Sequence, residues 1–297
     1  MNSTFDCVIV GGGPAGLTAA VYLGRFRRRV LLVDAGASRA RYIPTSHNCP
    51  GFPNGISGTD LLVTLGRHAR KFGASFERDT VVALRRTRHG FALKTKKSVF
   101  GATTVLLATG IVDILPRVRG MRAAIERGVV RLCPICDGFE ASGQRIAVMG
   151  PPGSVIGHAK FLRTYSERVA AVLSEGKLNR ADAARAKDFD ISVIDHHDGI
   201  RLTANSCVIS SNGKTQTFDC LYPALGFEPK CRLAASLGAK VDKLGEILVD
   251  PHMQTSIDGL YGIGDAVSGL HQISVAVGQA AIAATSIHNR LAASGSL

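Results

Sequence analysis

The pattern Gly11-x-Gly13-x-x-Gly16 stands between a short run rich in β-branched residues, Phe5 to Val10, and helix formers from Leu17 to Gly24. A second apolar run, Val30 to Val33, ends at Asp34. Strand, glycine turn, helix and strand in about 30 residues make a βαβ unit. In that setting each glycine has a use. Gly11 permits the tight turn, Gly13 lets the backbone approach a pyrophosphate, and Gly16 lets the helix pack closely on the strand. The helix N-terminus supplies oriented N–H groups, and Asp34 can accept hydrogen bonds from ribose hydroxyls. The segment predicts dinucleotide binding.

Downstream, residues 42–58 hold Pro44, Pro50, Gly51, Pro53, Gly55 and Gly58 and read as a loop. Thr59 to Phe72 reads as an amphipathic helix. Residues 79–100 read as antiparallel strands turning at His89-Gly90, and Thr103 to Ala108 as a buried strand leading into Thr109-Gly110. A second βαβ start follows about 140 residues after the first. It comprises Ile146 to Met149, a turn Gly150-Pro151-Pro152-Gly153, a helix Ser154 to Tyr165, and a strand Val169 to Leu173. Near the C-terminus a strand at Gly259-Leu260-Tyr261 runs into Gly262-Ile263-Gly264-Asp265, ahead of an Ala-rich helix from about Ser274 to Leu291.

Seven cysteines are present, and only Cys133 and Cys136 are closely spaced. An odd total in a chain of 297 residues is unlike a secreted disulfide scaffold and fits a reducing cytoplasm with one special dithiol. Cys133-Pro134-Ile135-Cys136 can close a small redox disulfide; the alternatives are half of a zinc site or two packed core cysteines. Zinc needs a second ligand pair, and His196-His197 is a poor substitute for one, so no metal site is assigned. Cys7, Cys207, Cys220 and Cys231 read as structural. Cys49 reads as space-filling or as modulating a cofactor pocket.

The net charge of +13 raises the question of nucleic acid or an acidic membrane surface. Residues 1–131 carry 21 basic and 7 acidic side chains, so the excess lies in the first part of the chain. No helix-turn-helix, zinc-finger or aromatic RNA-binding motif accompanies it, which leaves basic nucleic-acid binding as a remote alternative. No run reaches the ~18 apolar residues of a membrane span, and no signal peptide is read at the N-terminus.

Taken together, four features make the chain resemble the low-molecular-weight thioredoxin reductases over nearly its whole length. They are Gly11 to Gly16; Ala108-Thr109-Gly110 followed by Pro116; Cys133-Pro134-Ile135-Cys136-Asp137-Gly138; and Gly262-Ile263-Gly264-Asp265-Ala266 before the Ala-rich helix. His47-Asn48-Cys49-Pro50-Gly51-Phe52 looks like the family's loop near the flavin. The resemblance implies an α/β fold of two Rossmann-like domains of the FAD/NAD(P)-binding type, the second inserted in the first. Their expected bounds are residues 1–114 with 244–297, and 115–243. It implies bound FAD on Gly11, Gly13, Pro14, Ala15, Gly16, Asp34, Asn48, Ala108, Thr109, Gly110, Gly264, Asp265, Gln272 and Ile273. It implies that Cys136 faces the flavin and exchanges electrons with its C4a position, that Cys133 exchanges with a substrate disulfide or dithiol, and that Asp137 gives or takes the proton. A thioredoxin-like protein or a small disulfide as substrate, a homodimer, and alternating rotation of the two domains also follow from the resemblance. His271, before Gln272, would tune flavin charge or cap the last helix.

The second nucleotide fingerprint departs from the family. Gly150-Pro151-Pro152-Gly153-Ser154-Val155 keeps the first glycine, places Pro152 at the second and Val155 where a small residue is usual. Proline adds bulk and removes an N–H, and Val155 is expected to push the helix off the strand. Where the family has a basic cluster for the NADPH 2′-phosphate, this chain has Leu173-Ser174-Glu175, with Lys177, Arg180 and Arg185 farther on. Inefficient use of NADPH is expected. Electrons would then be exchanged with a small acidic carrier such as ferredoxin or flavodoxin, with oxygen in a dithiol oxidase, or through a second cofactor. An NADPH-dependent thioredoxin reductase is the alternative. Arg25 to Arg29 and Arg85 to Arg88 are candidate docking stretches for an acidic carrier, or a solvated face.

Overall fold

The computed structural model describes residues 5–293. In chain order, β1 (Phe5–Val10), α1 (Pro14–Arg25), β2 (Val30–Val33) and α2 (Gly58–Lys71) are followed by β3 (Ser75–Glu77), β4 (Val81–Thr87), β5 (Gly90–Thr95), β6 (Val99–Leu107) and β7 (Ile111–Asp113). Next come α3 (Met121–Glu126), α4 (Pro134–Asp137), β8 (Ile146–Gly150), α5 (Pro152–Leu162), β9 (Val169–Leu173), α6 (Arg180–Asp188) and β10 (Ser192–Ile194). Then β11 (Gly199–Leu202), β12 (Cys207–Ser211), β13 (Lys214–Phe218), β14 (Cys220–Pro223) and β15 (Phe227–Pro229) precede α7 (Arg232–Ala235), β16 (Leu260–Gly262) and α8 (Ile273–Ala293).

Contacts divide the chain into two units. The first takes the described residues up to Arg41, Ser57–Val112, and those from Glu228 onward; the second takes Tyr42–Ile56 and Asp113–Phe227. The return to the first unit falls at 227/228, earlier than the 243/244 drawn from the sequence. The reason is packing: Ala234 and Ala239 are buried with Leu84, Phe91 and Leu260, and Leu233 and Leu237 lie against them. The loop at 42–56 groups with the second unit, not with the fingerprint.

In the first unit the strands order as β3-β2-β1-β6-β5-β4, with β16 also on β6. β3, β2, β1, β6 and β16 run parallel, and β4 and β5 form the antiparallel extension. Both faces are covered, so Cys7 to Val10 of β1 and all of β2 are apolar and buried. On one face Ala19, Ala20 and Leu23 of α1 pack with Ala280, Ala283, Ala284 and Ile287 of α8. The alanines of α8 are the small side of a close helix–helix contact. The second unit has a parallel sheet β10-β9-β8-β14 and an antiparallel ribbon β11-β12-β13. Both units are Rossmann-type α/β folds.

Most of the basic stretches have partners within the first unit. Arg25 lies over the Phe72 ring at 4.9 Å. Arg28 is buried and donates to His288 Nδ1 and its carbonyl at 3.1 and 3.2 Å. Arg29 pairs with Asp6, and Arg86 with Asp258. Arg85 and Arg88 are exposed.

Candidate functional site

The parallel strands of the first unit end at a common edge, where open α/β sheets bind ligands. Gly11, at φ +114°, turns the chain out of β1; an added Cβ would sit 2.2 Å from the carbonyl oxygen of Ala108. At Gly16 it would sit 2.0 Å from the Gly11 oxygen. These two glycines are demanded by the protein itself. Gly13 is not: its backbone is extended (φ −79°), and an added Cβ would meet only Ser38 Oγ, at 3.4 Å. Nothing else stands within 4 Å of that position. At the start of α1 Pro14 lacks an N–H, Gly12 N–H goes to Asp34, and the N–H groups of Gly13, Ala15 and Gly16 have no acceptor among the described residues. Three free donors at a helix N-terminus suit an anionic group such as a pyrophosphate.

The remaining expected cofactor residues of the first unit line the same edge. Asp34 Oδ1 accepts from Gly12 and Gly36 N–H at 3.2 and 2.9 Å, while Arg78 lies 3.5 Å from Oδ2. Ala108 is tied to β1 through its N–H to Val10. Thr109 Oγ1 donates to the Lys230 carbonyl at 2.7 Å, and Gly110 takes φ +67°. Gly264 backs onto α1, since an added Cβ would lie 2.9 Å from Ala15 Cβ. Its N–H donates to Gln279 Oε1 at 2.7 Å, and Asp265 pairs with Arg39 at 3.5 Å. Gln272 and Ile273 sit at the start of α8, where the Gln272 carbonyl accepts from Ala276 N–H. His271 Nε2 lies 2.6 Å from Oε1 of the buried Glu246. Asn48 belongs to the second unit, where it accepts from Ser46 Oγ and donates to the Ile135 carbonyl at 3.4 Å, inside the dithiol turn.

Cys133 and Cys136 form a disulfide, with Cα atoms 5.2 Å apart. Pro134, the first residue of α4, needs no N–H there, and Cys136 N–H returns to the Cys133 carbonyl at 2.9 Å. The turn is anchored from both sides. Arg131 N–H donates to Leu221, and the Arg131 guanidinium donates to the Asp137 carbonyl at 2.9 Å. Tyr222 on β14 donates its hydroxyl to Asp137 Oδ1, also at 2.9 Å. Burial pushes the Asp137 carboxyl up to about 6, against the pull of Arg131 and the Tyr222 hydrogen bond. Protonation of this carboxyl therefore favours the folded state. That contribution is full below the ordinary value of 3.8 and is lost as pH rises through about 6. Arg131 and Tyr222 were not singled out from the sequence. Arg131 carried a local signal, two residues before Cys133; Tyr222 carried none.

The other thiols do different work. Burial pushes Cys7 and Cys220 up to about 12 and Cys207 to about 11, so they stay protonated and pack. Cys49 is buried in its loop, which also raises it.

The second fingerprint differs physically from the first. Pro151 caps α5 and Pro152 opens it, so neither offers an N–H. The N–H groups of Ser154 and Val155 both turn inward to the Pro151 oxygen at 3.1 Å. Gly153 alone keeps a free donor in this first turn among the described residues. The Pro152 ring leans on the loop after β9, 3.7 Å from where a Gly176 Cβ would stand. Glu175 in that loop is exposed. Val155 is fully buried with Val148 and Leu173, so the core takes it in as a packing residue.

The profile of the pyridine nucleotide-disulphide oxidoreductase family matches residues 5–280. The chain belongs to that family and is a thioredoxin reductase-like, FAD-dependent disulfide oxidoreductase. Thioredoxin reductase from Mycoplasmopsis pulmonis is 29% identical, over 98% of each chain. The Bacillus subtilis thioredoxin reductase is 27% identical, over 96% of this chain and 94% of that one. The crystal structure of thioredoxin reductase from Streptococcus pyogenes superposes with a TM-score of 0.91 at 28% identity, covering 99% of this chain and all of that one. No described helix is long and apolar enough to cross a membrane.

Proposed function

We propose that the chain moves an electron pair between FAD and a substrate disulfide or dithiol through Cys133 and Cys136, and that NADPH is an inefficient source of that pair. The observation that carries the second clause is the contrast of the two helix starts. Three free N–H groups stand at Gly13, Ala15 and Gly16, and one at Gly153. FAD would be held by Gly11 to Gly16, Asp34, Ala108 to Gly110, Gly264, Asp265, Gln272 and Ile273. When bound, it supplies or accepts two electrons.

The chain's own residues account for the rest. Opening the Cys133–Cys136 bond takes two electrons and one proton, and yields one thiolate and one thiol. Cys133 thiolate attacks the substrate disulfide, and one substrate thiolate leaves. Cys136 then closes on Cys133, and the second leaves. Asp137 holds the proton these steps exchange, its value near neutrality suiting both directions. The same steps reversed oxidise a dithiol. A homodimer and a cytoplasmic setting belong to this reading.

An anaerobic titration tests the electron source. Stoichiometric NADPH should leave the flavin absorbance largely intact on a time scale in which dithiothreitol bleaches it. Rapid bleaching by NADPH would overturn this reading in favour of an NADPH-dependent thioredoxin reductase, which the full-length likeness to proteins of that name supports. Dithionite-reduced ferredoxin serves as the acidic carrier in the same assay. The internal partners of Arg25, Arg28, Arg29 and Arg86 leave the exposed Arg27, Arg85 and Arg88 as its best-placed contacts.

Phe139, two residues past Asp137, is 76% exposed, and Ile135 within the turn is 49% exposed. An apolar rim beside a redox disulfide suits a protein substrate. Phe139→Ala is expected to raise KM for a thioredoxin-like disulfide about tenfold while leaving a small aromatic disulfide unaffected. Equal effects on both would point to a small-molecule substrate.

A further inference from the structure

Tyr222 is 85 residues from Asp137 in sequence and 1% exposed. The pairing of strands brings the two together. Val130 bridges Leu221 in parallel, with Leu221 N–H on the Val129 carbonyl at 2.8 Å and Arg131 N–H on the Leu221 carbonyl at 2.9 Å. The segment that leads into the dithiol turn thus runs along β14, and the next residue on β14 is Tyr222. Its ring packs with Ile146, Val148 and Ala141, a role phenylalanine would fill equally. The hydroxyl is what remains to be explained. It lies 2.9 Å from Asp137 Oδ1 and 3.2 Å from the Asp137 carbonyl oxygen. A buried phenol needs an acceptor, and here the acceptor is the group beside the disulfide.

We propose that Tyr222 is the positioning residue of the proton carrier: its hydroxyl fixes Asp137 through Oδ1 and leaves Oδ2 to carry the proton exchanged with the dithiol. The inference rests on the reading that Asp137 exchanges that proton. A donated hydrogen bond favours the ionised carboxyl and opposes the effect of burial. The charged and titratable groups around Asp137 are Arg131 and Glu140 from its own segment, and Cys220 and Tyr222 from β14. Burial raises both the Cys220 thiol and the Tyr222 hydroxyl, so neither competes with Asp137 for ionisation near neutral pH. Tyr222 holds the carboxyl and does not relay the proton itself.

The test uses the FAD-loaded protein, mixed anaerobically with dithiothreitol, with flavin bleaching followed from about pH 5 to 9. The rate should rise through a midpoint near the Asp137 value of about 6. Asp137→Asn should remove that limb; if the limb survives, the reading of Asp137 fails and the inference falls with it. Where Asp137→Asn does remove it, Tyr222→Phe should move the midpoint upward by about one unit, a tenfold change in proton affinity. Adding Tyr222→Phe to Asp137→Asn should have no further effect on the pH profile. A Tyr222→Phe protein slowed equally at every pH, with its midpoint unmoved, overturns the inference and leaves Tyr222 a packing residue. 3-Fluorotyrosine at position 222 keeps the ring and strengthens the donor, so the midpoint should move downward. Should the phenylalanine variant fail to fold, this substitution decides alone, and an unmoved midpoint overturns the proposal.

Discussion

Cys136→Ser should lower turnover with any disulfide or dithiol substrate by at least about a thousandfold, the scale of losing an essential nucleophile. Cys133→Ser should do the same, because the two sulfurs act as one unit. In each variant the surviving thiol can still attack, but it has no partner with which to close, so the cycle stops at a mixed disulfide. Fold and flavin content should survive. The bond spans only three positions in sequence, and its ends are held independently by Arg131, Tyr222 and the Cys136 N–H. A short loop adds little stability when cross-linked. Steady-state rates on flavin-replete protein, with the flavin spectrum as control, give the measurement. Retention of a tenth of the wild-type rate by either variant would remove the dithiol from the reaction.

The fingerprint glycines should separate folding from cofactor binding. Gly16→Ala places a methyl 2.0 Å from the Gly11 oxygen, and Gly11→Ala places one 2.2 Å from the Ala108 oxygen at a φ of +114°. Backbone must move in both cases, at a cost of about 3 kcal/mol. Both apo-proteins should melt well below wild type. Gly13→Ala meets only Ser38 Oγ at 3.4 Å, on a backbone that any residue adopts. Its apo-protein should melt within about 0.5 kcal/mol of wild type, the scale of an unobstructed substitution. Its FAD affinity should nevertheless fall by more than about tenfold, because the methyl enters the space over the three free N–H groups. Calorimetry of apo-protein and fluorescence titration with FAD measure the two effects. If Gly13→Ala binds FAD as tightly as wild type, the pyrophosphate does not lie where proposed.

The parts of the candidate site that lie close in sequence are legible in it. Gly11 to Gly16, Ala108 to Gly110 and Gly264-Asp265 are turns directly after strands, and a turn declares itself through local φ requirements and spacing. The loss of donors at Pro151 and Pro152 was legible for the same reason. The inward turn of the Ser154 and Val155 N–H groups was not, because it depends on where the Pro151 carbonyl points in the folded helix start. Val155 is buried with Val148 and Leu173, neighbours the sequence does not name. The ribbon β11-β12-β13 was missed as well, its strands being short and largely polar on one face.

By itself the sequence determined a pair of nucleotide-type α/β units, a dinucleotide fingerprint, one closely spaced dithiol and a weakened second fingerprint. Each of these is encoded within about thirty residues, the reach of a single βαβ unit. Only the tertiary structure decided what surrounds Asp137. Arg131 and Tyr222 reach it because Val130 pairs with Leu221, a register set by packing between strands some 90 residues apart. The same holds for Asn48, which meets the Ile135 carbonyl across 87 residues. Local motifs fix which atoms can react; long-range register fixes which groups hold their protons.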